Sequence, residues 1–170
     1  LDQLTTGPQV LVGSSMGGWL MLLVARARPE RIAGLLGLAS APDFTEDLIP
    51  DELSHLQKAE LETKGHVFIQ NDYDIDNPYR VNKKLLDEGK NQLILRQPIE
   101  LNIPVRLIHG VKDRDVPWST SMRIMETITS NDVEVTLVKT SEHRLSEEND
   151  LKRMCDNLGR LLYQLENSAS

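Results

Sequence analysis

Apolar positions in this chain come in short, dense runs separated by breaks marked with glycine, proline and charge. The first run, Gln9-Val10-Leu11-Val12, reads as a strand and meets a glycine-serine stretch, Gly13-Ser14-Ser15-Met16-Gly17. Residues 18–28 follow as a helix that is apolar almost all round, the pattern of a helix buried against a sheet, and Pro29 ends it. Ile32 to Ala39 is continuously apolar between turn signals, which predicts a parallel strand buried on both faces. Val105-Arg106-Leu107-Ile108-His109 repeats that pattern between Pro104 and Gly110. Val133 to Val138 alternates more, as a strand nearer a sheet edge does. Helices are expected at 119–129 and 147–165. Strand and helix thus take turns, which implies an α/β fold with a doubly wound parallel sheet and flanking helices.

Residues 43–98 interrupt the rhythm. They carry Pro50, Pro78 and an acid- and tyrosine-rich patch, Asn71-Asp72-Tyr73-Asp74, with helices expected near 50–63 and 79–88. An insertion at the carboxyl edge of a parallel sheet lies where substrates bind, so a helical cap or lid is one reading and an ordinary surface excursion is the other.

Composition narrows the function classes. At 170 residues the chain suits one domain with a real core. Its net charge of −7, without a dense lysine-arginine cluster, argues against a nucleic-acid partner. The single cysteine, Cys155, falls on a helical pattern and reads as a packing residue. One cysteine builds neither a disulfide framework nor a thiolate metal cage, which favours a reducing, cytoplasmic setting. The longest apolar stretch, Trp19 to Ala25, is too short for a membrane span, and no basic leader precedes it.

The candidate chemistry begins at the Gly-x-Ser-x-Gly spacing of Gly13, Ser15 and Gly17. Between a strand and a helix, such a turn holds its apex residue in a strained conformation, and glycines two positions either side let strand and helix approach. The Ser15 hydroxyl then projects above the sheet, while the Met16 backbone N–H points from a helix N-terminus toward a developing oxyanion. Ser14 is the rival, but its glycines are misplaced; as a bland alternative, Ser15 would merely cap the helix. A serine nucleophile needs a base oriented by a third group. His109-Gly-Val-Lys-Asp113-Arg-Asp115 and Ser141-Glu-His143-Arg144 each follow a strand end, so they leave the same sheet edge as Ser15. Asp113 and Asp115 compete as the acid, and either could instead cap the following helix. His143 is the expected base, with a solvated loop histidine as its plain alternative. His55 and His66 lie in the insertion, and His109 suits ordering the acid loop better than taking protons. No pair of these residues has metal-ligand spacing, so neither a metal nor another cofactor is expected.

Gly13-Ser-Ser-Met-Gly-Gly-Trp19, His109-Gly-x-Lys-Asp113-x-x-Val-Pro-Trp118 and Ser141-x-His143-Arg144 together resemble the α/β-hydrolases. More narrowly they resemble the branch of mitochondrial palmitoyl-protein thioesterases and acyl-glucuronide esterases with its bacterial relatives. The resemblance implies Ser15 as nucleophile, Asp113 as acid, His143 as base and Met16 N–H as an oxyanion donor. It also implies a cap at 43–98, a small-molecule ester or thioester substrate and no cofactor. Prolyl-oligopeptidase-like peptidases share a similar elbow and offer the rival chemistry; a silent fragment that binds partners is a third reading. The resembling fold has eight strands, and this sequence opens just before the nucleophile strand. The expectation is therefore a C-terminal half of such a fold, with the first strand a raw edge and the loop supplying a second oxyanion N–H not included. A leader in the preceding portion would make the mitochondrial matrix the alternative compartment.

Overall fold

The computed structural model describes residues 1–71, 73 and 75–168, so Asp72 and Asp74 of the acid-rich patch lie outside the described residues. The chain divides into two compact units, one formed by Asp43–Leu93 and the other by the segments on either side. The break returns to the first unit at Ile94, so 94–98 lie outside the inserted unit.

The first unit holds four parallel strands in the order β1-β2-β5-β6: β1 is Gln9–Ser14, β2 Ile32–Leu38, β5 Val105–Gly110 and β6 Val133–Val138. Its helices are α1 (Met16–Ala27), α6 (Ser119–Thr127) and α7 (Glu148–Ser168). The central strands read as they bury: Leu35 and Leu36 of β2 and Val105, Leu107 and Ile108 of β5 are all closed to solvent. Two faces follow from the register. Gly37 stacks beside Leu107 and faces Met21 of α1, while Leu36, Ile108 and Val138 cluster with Met154 and Leu158 of α7. Each fully buried leucine contributes about 1.5–3 kcal/mol by leaving water. One charge sits among these apolar strands. Arg106 of β5 is buried at 7% exposure because Asp132, at 2.7 Å, and Gln164 of α7, at 2.8 Å, engage its guanidinium.

As the alternating pattern predicts, β6 lies at one edge of the sheet; β1 lies at the other. Two expectations need correction. Helix α1 is not buried all round: Trp19, Met21, Leu22 and Ala25 are buried, but Leu20 is half exposed. Cys155 is exposed on α7, because that helix packs through Met154, Leu158 and Leu161 instead.

The inserted unit contains α2 (Phe44–Asp47), α3 (Ile49–Glu52), α4 (His55–Lys64), α5 (Lys83–Gly89) and an antiparallel hairpin of β3 (His66–Ile69) and β4 (Tyr79–Asn82). It is therefore not wholly helical. Tyr79–Asn82, expected as the start of a helix, is a strand because Val81 pairs opposite Val67 and both enter the core of this unit with Ile49, Leu53, Leu61 and Leu86. The helix expected across 50–63 is split before Ser54, whose side chain accepts from Gln57 N while the Gln57 side chain accepts from Ser54 N. That capping box starts α4 afresh.

Candidate active site

Ser15 sits between β1 and α1 with φ 53° and ψ −123°, a conformation that L-residues avoid. The end of β2 holds it there. Ser15 N donates to Leu38 O at 2.9 Å, and Ser15 O accepts from Ala41 N at 3.0 Å and Gly18 N at 2.9 Å. The brace needs small residues. A Cβ on Gly13 would strike the Gly17 backbone, with its carbonyl carbon 2.7 Å away. Gly17 itself faces open space; the close approach expected there falls on Gly18, where a Cβ would meet Ser40 Cβ at 2.5 Å. The Ala39-Ser40-Ala41 support is a feature that motif reading missed; its signal was the small-residue run closing an otherwise bulky apolar strand.

The acid loop leaves β5 and the histidine loop leaves β6, and backbone contacts stitch the two together. Val111 N donates to Val138 O and Lys112 N to Ser141 O, at 2.9 and 3.0 Å. Gly110 permits this, since a Cβ there would lie 2.6 Å from the Ser141 carbonyl carbon. The histidine loop is tied down again where the buried Ser141 hydroxyl donates to Asp150 Oδ1 of α7, at 2.6 Å.

These supports bring Ser15, His143 and Asp113 together. His143 Nε2 lies 2.9 Å from Ser15 Oγ, and its Nδ1 lies 2.8 Å from Asp113 Oδ2. Asp113 has no exposed side-chain surface, and His143 keeps 12%. Asp113 Oδ1 accepts from Asp115 N and Val116 N, at 2.9 and 2.8 Å; Oδ2 also faces His109 Nε2 at 3.1 Å. Burial alone would raise the Asp113 pKa. Hydrogen bonds from His109, His143 and Val116 N–H, together with the His143 charge, outweigh it and hold the carboxyl well below the usual carboxylate range. Asp113 is thus a fixed carboxylate and the one at His143 Nδ1, while Asp115 donates its backbone N–H to Asp113. Met16 opens α1, so its N–H has no acceptor within the helix. The rival Ser14 is the last residue of β1. His55 and His66 belong to the inserted unit, away from this constellation in the chain. Among the described residues no group of three or more His, Cys, Asp or Glu side chains could hold a metal ion.

A parallel sheet that carries a strained serine at a strand–helix turn, with carboxylate and histidine from later strand ends, defines the α/β-hydrolase class. Within it, residues 5–158 match the sequence profile of the prolyl oligopeptidase family, and the chain belongs to that family. Among curated relatives, mitochondrial palmitoyl-protein thioesterase ABHD10 of Homo sapiens is 40% identical over 168 residues, covering 97% of this chain and 54% of the relative. Among solved structures, a putative hydrolase from Agrobacterium vitis S4 superposes with a TM-score of 0.90 at 32% identity, over 95% of this chain and 64% of that one. Mouse α/β-hydrolase domain-containing protein 10 gives a TM-score of 0.86 at 37% identity, over 97% of this chain and 66% of that one. The chain spans about half the length of the curated relatives it matches.

Proposed function

We propose that this chain carries the reacting groups of a serine hydrolase that cleaves carboxylic esters or thioesters through an acyl-enzyme. The unbroken hydrogen-bonded line from Ser15 Oγ through His143 to Asp113 supports this most directly. Its relatives' names point the same way. Ser15 Oγ attacks the acyl carbon while His143 Nε2 takes its proton. The Met16 N–H faces the oxyanion that forms. As the tetrahedral intermediate collapses, His143 returns the proton to the departing alcohol or thiol. Water then gives its proton to His143, attacks the acyl carbon, and the acid leaves as Ser15 regains its hydrogen. Asp113 remains ionised throughout, fixing the imidazole tautomer and stabilising its cation.

Palmitoyl thioesters, after which the curated relatives are named, are the first substrates to test. Those relatives are mitochondrial by name, which favours that compartment over the cytoplasm. Residues 43–98 are assigned the cap role by resemblance: exchanging that segment for a relative's should change acyl-chain preference while Ser15 stays reactive. A fluorophosphonate probe should label Ser15 and a Ser15→Ala variant should not react; a native chain that resists the probe overturns the reading. Family membership gives one rival, a serine peptidase. Turnover of an aminoacyl-proline reporter without turnover of p-nitrophenyl or thioester substrates would decide for it.

A further inference from the structure

His109 has no part in the proposed reaction, yet its side chain is completely buried beside the acid. Its Nε2 lies 3.1 Å from Asp113 Oδ2 and 3.0 Å from Val116 O. Neither of those oxygens can donate, so the hydrogen must be on Nε2, shared between them. On the other side of the ring, Nδ1 lies 2.7 Å from the hydroxyl of Ser121 on α6, itself 1% exposed. In a neutral ring with its hydrogen on Nε2, Nδ1 is bare and accepts from the Ser121 O–H. The two acceptors at Nε2 thus fix the tautomer that serves Asp113, and the Ser121 hydroxyl satisfies the Nδ1 left bare. The carboxylate is then filled on every side, by two backbone N–H groups on Oδ1 and two imidazoles on Oδ2.

We propose that His109 is a positioning residue for Asp113: as the neutral Nε2–H tautomer, with Ser121 on its Nδ1, it locks the carboxylate rotamer and divides the charge of Oδ2 between two imidazoles. This deepens the triad reading and rests on it. Without His109, the charge of Oδ2 falls on His143 alone, and the rotamer is held by the Oδ1 contacts and that one imidazole. The pull of Oδ2 on the His143 cation is then undivided, and the alignment of that ring with Ser15 loosens. A residue that merely fills space under the loop would change stability and leave pH dependence where it was. Besides Asp113, the charged groups on the loops around His143 are Lys112, Arg114, Asp115, Lys139, Glu142, Arg144 and Glu147, and every variant below keeps them all. Facing His109 itself are the Asp113 carboxylate and the uncharged Ser121.

The test is the second-order rate of fluorophosphonate labelling at Ser15 across pH, for the native chain, His109→Leu, His109→Gln and Ser121→Ala. It is paired with imidazole ¹⁵N spectra of the native chain. His109→Leu should slow labelling about 10- to 100-fold and move the acidic limb of the profile upward by about half a pH unit or more. His109→Gln, whose amide N–H can reach Oδ2, should recover most of both effects. Ser121→Ala should slow labelling a few-fold, on the order of what a positioning hydrogen bond supplies. The spectra should show the His109 hydrogen on Nε2 and a bare Nδ1. Equal losses in the Leu and Gln variants with an unmoved limb, or hydrogen on Nδ1 in the spectra, overturns the proposal. Should His109→Leu not fold, the spectra, His109→Gln and Ser121→Ala still decide. A native chain that does not label condemns the triad reading instead, and the tautomer spectra still judge His109 alone.

Discussion

The Asp113 side chain concentrates most of the site's physics in one carboxylate. It has no exposed surface, yet four N–H groups surround its two oxygens. A buried charge is tolerated only when so completely paired, and removing it leaves those donors facing a poorer acceptor. Asp113→Asn should keep the backbone contacts through the amide oxygen while presenting the wrong partner to His143. Labelling or turnover should fall by about 10³- to 10⁴-fold, the scale seen when a triad acid is neutralised. Stability should fall with it, by roughly 2–4 kcal/mol near neutral pH. The pH dependence has a definite sign. The folded-state pKa is depressed, so the carboxylate's stabilisation is complete above the unfolded value of about 3.9 and drains away as pH drops below it. The gap in urea midpoint between the native chain and Asp113→Asn should therefore be narrower at about pH 3 than at neutral pH; a constant gap contradicts the assignment. At this scale the sequence was partly silent. Spacing could place Asp113 and Asp115 on the same loop, but which carboxylate turns inward depends on Gly110 packing against the Ser141 carbonyl, a contact between two strands' loops that no local pattern records.

Among the elements, the turn from β1 to α1 shows how a motif is legible for a reason that the structure then revises. Gly-x-Ser-x-Gly was readable because it falls between an apolar strand and an apolar helix. The glycines, however, do different work. Gly13 admits the Gly17 backbone, Gly18 admits Ser40, and Gly17 admits nothing. Gly13→Ala should disrupt the turn, lower the midpoint of thermal unfolding by several degrees and abolish labelling at Ser15. Gly17→Ala should leave both nearly intact. Equal sensitivity at the two positions would refute the packing account. The four sheet strands and their helices were evident because β2 and β5 are apolar on both faces and helices flank them. The inserted unit was read poorly. Its strands are only four residues each, too short for a period to stand out, and Val81 reveals its role only through pairing with Val67. The exposure of Leu20 and Cys155 was hidden likewise, since a pattern of apolar positions does not say which neighbours arrive to cover them.

At the scale of the molecule, β1 ends the sheet with one neighbour among the described strands, and Val12 is 48% exposed. An apolar strand with an open edge is a template for pairing with another chain. The isolated 170-residue chain should therefore self-associate as its concentration rises, and Val12→Lys should shift sedimentation toward the monomer; monodisperse behaviour unaffected by Val12→Lys argues that the edge is already protected. The serine at φ 53° has a longer-range meaning. A hydroxyl-bearing residue in that geometry makes the polypeptide less robust than glycine would, by roughly 1 kcal/mol or more, so Ser15→Gly should raise the melting temperature while ending covalent labelling. On the proposed role of Ser15, selection for durability and selection for reactivity pull this position in opposite directions. A lineage that ceased to use the reaction would have an easy, stabilising escape through a glycine, and the serine's presence in this chain runs against that drift.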